Sequence, residues 1–164
     1  MGAAVMPEWP EIRGFSPPRR PPTYEIAAES RVYLIQSGSL LKIGTATDPK
    51  RRLAALRIGN PHGIRLVGYR SVPRLLAEQI ERRLHKMFAA HRRIGEWFEI
   101  DKRTVIPELN RLMLDARMAV NAWAAAGYFE MLGQPLPRLV NDRIVEMARR
   151  RATAPAPQAV PGVG

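Results

Sequence analysis

The sequence of 164 residues contains no cysteine, which excludes disulfide bonds, thiolate metal sites, iron–sulfur clusters and cysteine nucleophiles. It also lacks any run of roughly 20 apolar residues, the length that a bilayer-spanning helix needs, so we expect no membrane segment. The basic start and apolar run of a secretory signal are missing from its first residues. We therefore expect a cytoplasmic protein.

Negative charge is scarce as well, since 26 Lys and Arg stand against 15 Asp and Glu and give a formal net charge of +11. Residues 31–102 alone hold fifteen basic and six acidic residues, a net charge of +9. A positive field of this size favours polyanionic partners, and nucleic acid is the commonest of them in a cytoplasm. The alternative is a chain that places arginine on every solvated face.

The composition divides the chain into four parts. Residues 1–30 hold six of the fifteen prolines, which favours an extended and flexible arm. Residues 152–164 are rich in Ala, Pro, Gly and Val, as is typical of a disordered tail. Between them we expect a folded domain over residues 31–102 and a helical extension over residues 103–151.

Hydrophobic periodicity predicts the element order β-β-α-β-α-β followed by two helices. A break at Ser37-Gly38-Ser39 between two apolar runs predicts a hairpin, and Asp48-Pro49 is typical of a helix start. We expect strands over residues 31–36, 40–44, 64–70 and 96–100, and helices over residues 50–58, 72–91, 106–123 and 139–151. The predicted fold is α+β, with a small mixed or antiparallel sheet flanked by helices and a C-terminal helical extension.

Two residues of the second predicted helix have the spacing of a site. Glu81 and His85 are four residues apart and therefore project from the same side. A carboxylate beside an apolar stripe can hold a hard divalent cation through oxygen. Pairing of Glu81 with a neighbouring basic side chain, and a packing or hydrogen-bonding role for His85, are the alternatives.

Three further residues allow two interpretations each. Arg52 lies one turn inside the first helix, where its guanidinium could clamp a phosphate or simply be solvated. Tyr33 lies in an apolar strand, which by default makes it a core aromatic residue with its hydroxyl at the edge. Lys42 interrupts the apolar pattern of the second strand, so we expect it to face solvent or a site.

Several motifs follow one another in a specific order between residues 31 and 100: VYL at 32–34, KIG at 42–44, DPKRRL at 48–53, GNP at 59–61, ERRLHKMF at 81–88 and GEWF at 95–98. Together they resemble the GIY-YIG nuclease superfamily, in its T5orf172 and meiotically up-regulated gene 113 branch. Because the likeness rests on several ordered motifs, it is far more specific than a single triplet.

The resemblance implies hydrolysis of DNA phosphodiester bonds with one Mg²⁺ or Mn²⁺ ion per active site. Tyr33 matches the tyrosine of the family's first triplet, which is proposed to deprotonate the attacking water. Arg52 matches the first-helix arginine, which would stabilise charge on the scissile phosphate. Glu81 matches the glutamate that holds the metal ion, and Gly44 matches the glycine that closes the second triplet, there for close backbone packing.

The chain departs from the superfamily pattern at three places. Lys42 replaces the tyrosine of the second triplet, and Leu56 stands where many members have a histidine. The region of the late asparagine is occupied by Glu96 and its neighbours, and Glu96 either assists the metal or has a structural role at a strand end. We expect Lys42 and His85 to support the reaction.

The sequence therefore predicts a divalent-metal-dependent DNA endonuclease with Tyr33, Arg52 and Glu81 at its centre. Its partner is expected to be duplex DNA, and a homodimer remains open. Contacts to phosphates orient a duplex without reading its sequence, and we expect them from Lys42, Arg51, Arg57, Arg65, Arg82, Arg83 and Lys86. Two alternatives are a DNA-binding module that kept the fold but lost cleavage, and a protein-interaction adaptor that uses the C-terminal amphipathic helices.

Overall fold

The computed structural model describes residues 8–18, 25 and 28–153. In this part the chain forms a five-stranded sheet with the strands β1 Glu29–Ser37, β2 Leu40–Ala46, β3 Ile64–Pro73, β4 Arg92–Ile94 and β5 Trp97–Glu99. The helices described are α1 Pro49–Arg57, α2 Arg74–Met87, α3 Lys102–Ala125, α4 Tyr128–Met131 and α5 Asp142–Thr153. All neighbouring strands are antiparallel, in the order β3-β1-β2-β5-β4. The α+β prediction with helices at the C-terminal end is confirmed.

Local sequence signals account for the hairpin and the first helix. β1 and β2 are joined by the two-residue turn Gly38-Ser39, in which Gly38 has a φ of +55°. Asp48 caps α1, because its Oδ1 accepts hydrogen bonds from the backbone N–H groups of Lys50 and Arg51 at 2.9 and 3.1 Å. Pro49 occupies the first helical turn, where no backbone donor is lost.

The central strand β1 is buried on both faces. Val32 and Leu34 point into the larger core, which α2 and α3 complete, whereas Tyr33 and Ile35 point to the face that α1 covers with Leu53. Side chains alternate along a strand, so four consecutive apolar residues require cover on both faces. Helices on the two faces of the sheet supply it.

Residues 8–18, here called the N-terminal segment, lie against the larger core. Phe15 is fully buried in that core. The guanidinium of Arg83 lies 4.8 Å from the centroid of its ring, and Nε1 of Trp123 donates to the carbonyl oxygen of Pro10 at 3.0 Å. The N-terminal segment is therefore tied to both α2 and α3.

The region after α2 differs from the sequence-based expectation. The helix was expected to continue to residue 91, but it ends at Met87 and is followed by a short 3₁₀ turn, Ala89–His91. Strand β4 then pairs with β5, although all of its residues are exposed and show no apolar alternation. Phe88 is the C-cap of the helix, and its side chain is buried in the core. Within the described residues, no helix is both long and apolar enough to cross a bilayer.

Candidate active site

The candidate site lies along the part of β2 that is not paired with β5, here called the outer edge of β2. Strand β5 pairs only with Leu40–Lys42, the first three residues of β2. At the next residue, Ile43, the backbone N–H donates to the carbonyl oxygen of Glu96 at 3.3 Å. The carbonyl oxygen of Ile43 bonds Nε2 of His85 at 2.9 Å. The β4–β5 turn and α2 are thus both hydrogen-bonded to β2 at the point where its pairing with β5 ends.

Glu81 and His85 lie side by side on α2, facing β2. Oε2 of Glu81 accepts a hydrogen bond from the hydroxyl of Thr45 at 2.9 Å. Oε1 of Glu81 lies 3.9 Å from Nε2 of His85. Because the carbonyl of Ile43 can only accept, Nε2 of His85 carries a proton, and a neutral His85 then has its free lone pair on Nδ1. Both side chains are mostly buried, with 16% and 15% exposed.

The carboxyl of Glu81 is held in an environment that disfavours its charge. Burial raises the pKa of Glu81, and the negative charge of Glu96 adds to this effect. The hydrogen bond from Thr45 and the positive charges of His85 and Lys42 lower it but do not outweigh burial. An ionised carboxylate with too little positive charge around it is suited to receive a cation.

Tyr33 and Gly44 are packed against each other across β1 and β2. The two residues are register partners, and Tyr33 is almost completely buried. A Cβ atom at Gly44 would lie 2.5 Å from the hydroxyl oxygen of Tyr33 and 2.7 Å from its Cζ. Only glycine therefore leaves room for the phenol in this position. The close packing expected at Gly44 involves the ring of Tyr33.

The phenol of Tyr33 experiences opposing influences. Burial raises the pKa of Tyr33, while a hydrogen bond with Arg52 and the charge of that guanidinium lower it. The carboxylates of Glu96 and Glu81 raise it further, so the pKa stays above its ordinary value. The phenol is therefore protonated at neutral pH. Arg52 itself is exposed on α1, which places a positive charge at the solvent side of the hydroxyl.

Lys42 is buried, with 5% of its surface exposed, and does not face solvent. Its Nζ forms an ion pair with Glu96 and lies 5.8 Å from the centroid of the Trp97 ring. Burial raises the pKa of Glu96, but the hydrogen bond and charge of Lys42, helped by His85 and Arg52, outweigh it and hold this pKa below its usual range. The charge of Lys42 is thus largely compensated inside the site.

The donor set fits a particular kind of metal site. In the part of the chain that the structure describes, no group of three or more His, Asp or Glu side chains is placed to hold a metal ion. A structural zinc site, for comparison, is held by four protein ligands. Mg²⁺, in contrast, keeps several waters and is commonly bound through one or two carboxylates together with substrate phosphates. Glu81, with Glu96 nearby, fits that pattern.

Apart from Lys42, the side chains predicted to contact phosphate fall into two groups. The side chains of Arg51 on α1 and of Arg82 and Lys86 on α2 are exposed and form no hydrogen bond or ion pair with any described residue. These three are free to contact an external anion. They lie on the same two helices as Arg52 and Glu81.

The other three predicted arginines are engaged within the protein. Arg57 donates to the carbonyl oxygen of Ile64 at 3.3 Å, and Arg65 donates to Oε1 of Gln36 at 2.9 Å. Arg83 donates to the carbonyl oxygen of residue 13 at 2.9 Å and lies over the ring of Phe15. In the free protein Arg57 ties the end of α1 to β3, Arg65 ties β3 to β1, and Arg83 holds the N-terminal segment.

The model of the T5orf172 domain matches residues 30–113, about half of the chain. No curated protein and no solved structure matches the chain. The matched region contains β2 to β5 and all of β1 except Glu29, together with α1, α2 and the first half of α3. It thus includes the whole candidate site. The chain belongs to the T5orf172 domain family, a GIY-YIG-like family associated with nucleases.

Proposed function

We propose that the protein is a cytoplasmic, divalent-metal-dependent endonuclease that hydrolyses phosphodiester bonds of DNA. One observation carries this proposal. Tyr33 on β1 interacts electrostatically with Arg52 on α1 and with Glu81 on α2, and the hydrogen bond from Thr45 fixes Glu81 at β2. Family membership supports a nuclease-like function, and the positive charge of residues 31–102 supports a polyanionic substrate.

Arg52 and Glu81 would act on the phosphate. The exposed guanidinium of Arg52 can donate two parallel hydrogen bonds to phosphate oxygens and stabilise the charge that develops on them. Glu81, fixed by Thr45, would hold one Mg²⁺ or Mn²⁺ against a phosphate oxygen. The ion supplies Lewis-acid stabilisation of the phosphoryl and leaving oxygens.

Tyr33 would handle the proton of the attacking water. In the ionised phenol the oxygen takes a proton from water, the water oxygen bonds to phosphorus, and the bond from phosphorus to the leaving oxygen breaks. The leaving oxygen then takes a proton from solvent. Because burial keeps the pKa of Tyr33 raised, only a fraction of molecules is ionised at neutral pH. The positive charge of Arg52 increases that fraction.

Lys42, Glu96 and His85 would position these groups. Lys42 and Glu96 hold the β4–β5 turn against β2 through their ion pair. His85 ties α2, and with it Glu81, to the backbone of Ile43. The free side chains of Arg51, Arg82 and Lys86 would contact the phosphates of a duplex.

Nicking of supercoiled plasmid with Mg²⁺ or Mn²⁺ tests the proposal, with EDTA as the metal-free control. We expect the wild type to nick the plasmid and Glu81→Gln to lose this activity. Glu78→Gln is the matched control, because Glu78 lies one turn earlier on α2 and is exposed. Absence of nicking by the wild type in both metals would contradict the proposal.

A DNA-binding module without cleavage is the second candidate. The raised pKa of Tyr33 and the compensated charge of Lys42 favour it, because neither group is then ready for catalysis in the free protein. This candidate predicts salt-sensitive DNA binding, with a log–log slope of about 0.9 per phosphate contacted. It also predicts no nicking by either the wild type or Glu81→Gln. A flat salt response would instead favour the protein-interaction adaptor.

A further inference from the structure

Among the Phe, Trp and Tyr residues that the structure describes, only Tyr69 on β3 has an exposed side chain. Its relative exposure is 40%, whereas the other side chains of these three types are buried or half-buried. The stability of the sheet does not require a tyrosine on an edge strand to be this exposed. The residues around Tyr69 therefore indicate which kind of ligand its ring could bind.

Tyr69 lies next to Tyr33 on the same face of the sheet. The two residues are register partners in the antiparallel pairing of β1 with β3. Side chains that face each other in this way are neighbours, with Cβ atoms about 4.5–5.5 Å apart. Tyr69 thus continues the face of the sheet that carries Tyr33 from β1 to the edge strand β3 and solvent, on the side of β1 away from β2.

A fixed guanidinium accompanies this ring. The Cζ atom of Arg31 lies 5.8 Å from the ring centroid of Tyr69. Arg31 is also a neighbour of Tyr33 on β1, donates to the carbonyl oxygen of Thr47, and lies 3.6 Å from a carboxylate oxygen of Glu29. These contacts hold the guanidinium in place. A half-exposed aromatic ring beside a held arginine has the composition of sites that stack bases of single-stranded nucleic acid.

We propose that Tyr69 and Arg31 form a stacking site for one unpaired base of the strand whose phosphate lies at Arg52. The inference rests on the proposed function and specifies its substrate class. A base inside a duplex is already stacked and paired, so its face cannot reach a ring on the protein surface. The preferred substrate is therefore DNA that is single-stranded or locally unpaired at the point of cleavage, and the positive charge of residues 31–102 complements its backbone.

Binding to two oligonucleotides of equal charge tests the inference. One is a single-stranded thymidine oligonucleotide, and the other has the same length and backbone but consists only of abasic residues. Anisotropy measured in EDTA gives the affinity for each without cleavage. Stacking of one base predicts that the wild type binds the thymidine strand more tightly by roughly 5- to 150-fold.

Variants of Tyr69 test whether its ring causes the preference for the thymidine strand over the abasic strand. Tyr69→Phe keeps the ring and should keep most of the preference, whereas Tyr69→Leu should lose it at an unchanged affinity for the abasic strand. Tyr69→Thr, a good strand former, serves if the leucine variant unfolds. Leu114→Ala is the control for loss of an exposed apolar side chain, because Leu114 is 60% exposed on α3. It should behave like the wild type.

The outcomes separate the inference from the proposed function. A preference that survives in Tyr69→Leu and Tyr69→Thr, or a wild type that binds both strands equally, overturns the stacking site. The nuclease proposal stands in either case if the plasmid is nicked. A preference lost only with the ring supports the stacking site, and this holds even if no nicking is found.

Discussion

The phenol of Tyr33 fills the space where a side chain at Gly44 would begin, because a Cβ atom on Gly44 would lie 2.5 Å from the tyrosine hydroxyl oxygen. The need for glycine at residue 44 thus comes from the position of a side chain on the neighbouring strand. The phenol is fixed in turn, since it is buried on the face that α1 covers. The position of Tyr33, the proposed general base, therefore depends on Gly44, a residue that has no side chain.

Gly44→Ala should displace the phenol of Tyr33 and lower both activity and stability. Overpacking of this kind costs about 1–3 kcal/mol. In Tyr33→Leu no side-chain atom reaches the position of the phenol's outer ring. Gly44→Ala should therefore lower the free energy of unfolding much less in the Tyr33→Leu variant than in the wild type. Urea denaturation of the four proteins of this double-mutant cycle measures the coupling. Additive effects of the two substitutions would contradict the packing described here.

Glu81→Gln should raise the melting temperature while it strongly lowers the nicking rate. The pKa of Glu81 is raised in the folded protein, chiefly by burial, so the ionised carboxylate destabilises the fold once the pH exceeds that pKa. Glutamine removes the charge but can still accept the hydrogen bond of Thr45. Activity should fall roughly 10²- to 10³-fold, the scale for one electrostatic group. Glu78→Gln, compared by thermal unfolding at neutral pH, should show neither effect.

The nicking rate should rise with pH across the neutral range. Burial raises the pKa values of both Tyr33 and Glu81, and each must lose its proton before it can accept one or bind a cation. Tyr33→Phe should reduce the rate most at alkaline pH, where the wild-type phenol is increasingly ionised. A pH–rate profile of the two proteins at saturating metal checks this. Parallel profiles would show that Tyr33 does not transfer the proton.

Glu96→Gln should reduce stability at neutral pH and have a smaller effect in acid. In the folded protein the pKa of Glu96 lies below its usual range, because Lys42 outweighs the effect of burial. The stabilising contribution is therefore present above the unfolded pKa, about 4.3, and is lost as the pH falls through the folded value. Denaturation curves of the two proteins at neutral and acidic pH give the difference. A difference that is the same at both pH values would contradict the ion pair's role.

Phe15→Ala should destabilise the whole fold, although Phe15 lies outside the region that matches the family. Its ring is fully buried, and truncation of a buried phenylalanine costs about 3–5 kcal/mol. Glu11→Ala is a control in the same segment, because Glu11 is exposed. Urea denaturation of both variants measures the cost. A loss below about 1 kcal/mol for Phe15→Ala would show that the N-terminal segment does not stabilise the core.

Local signals in the sequence were sufficient for much of the fold. The Gly38 turn, the Asp48 cap and the spacing of Glu81 and His85 all depend on residues within a few positions of each other, and the structure has each of them. Strand β4 could not be predicted in this way. Its residues are exposed, and only pairing with β5 makes them a strand.

The environment of the site depends on contacts between distant parts of the chain. Lys42 looks like a surface residue in its strand, and its burial follows from a carboxylate 54 residues later. Thr45 gave no signal at all, because its partner Glu81 lies 36 residues away on another element. Neither contact has a local pattern that would reveal it.

The family match ends at residue 113, in the middle of α3, which continues without interruption to Ala125. Phe15 on one side of the matched region and Trp123 on the other are completely buried in the same core as the sheet and α2. A fragment cut at residues 30 and 113 would therefore lose both of these large aromatic residues and expose the apolar surface they cover. Such a fragment should expose enough apolar surface to aggregate. The proposed cleavage of DNA should therefore be sought with a chain that keeps the flanking segments.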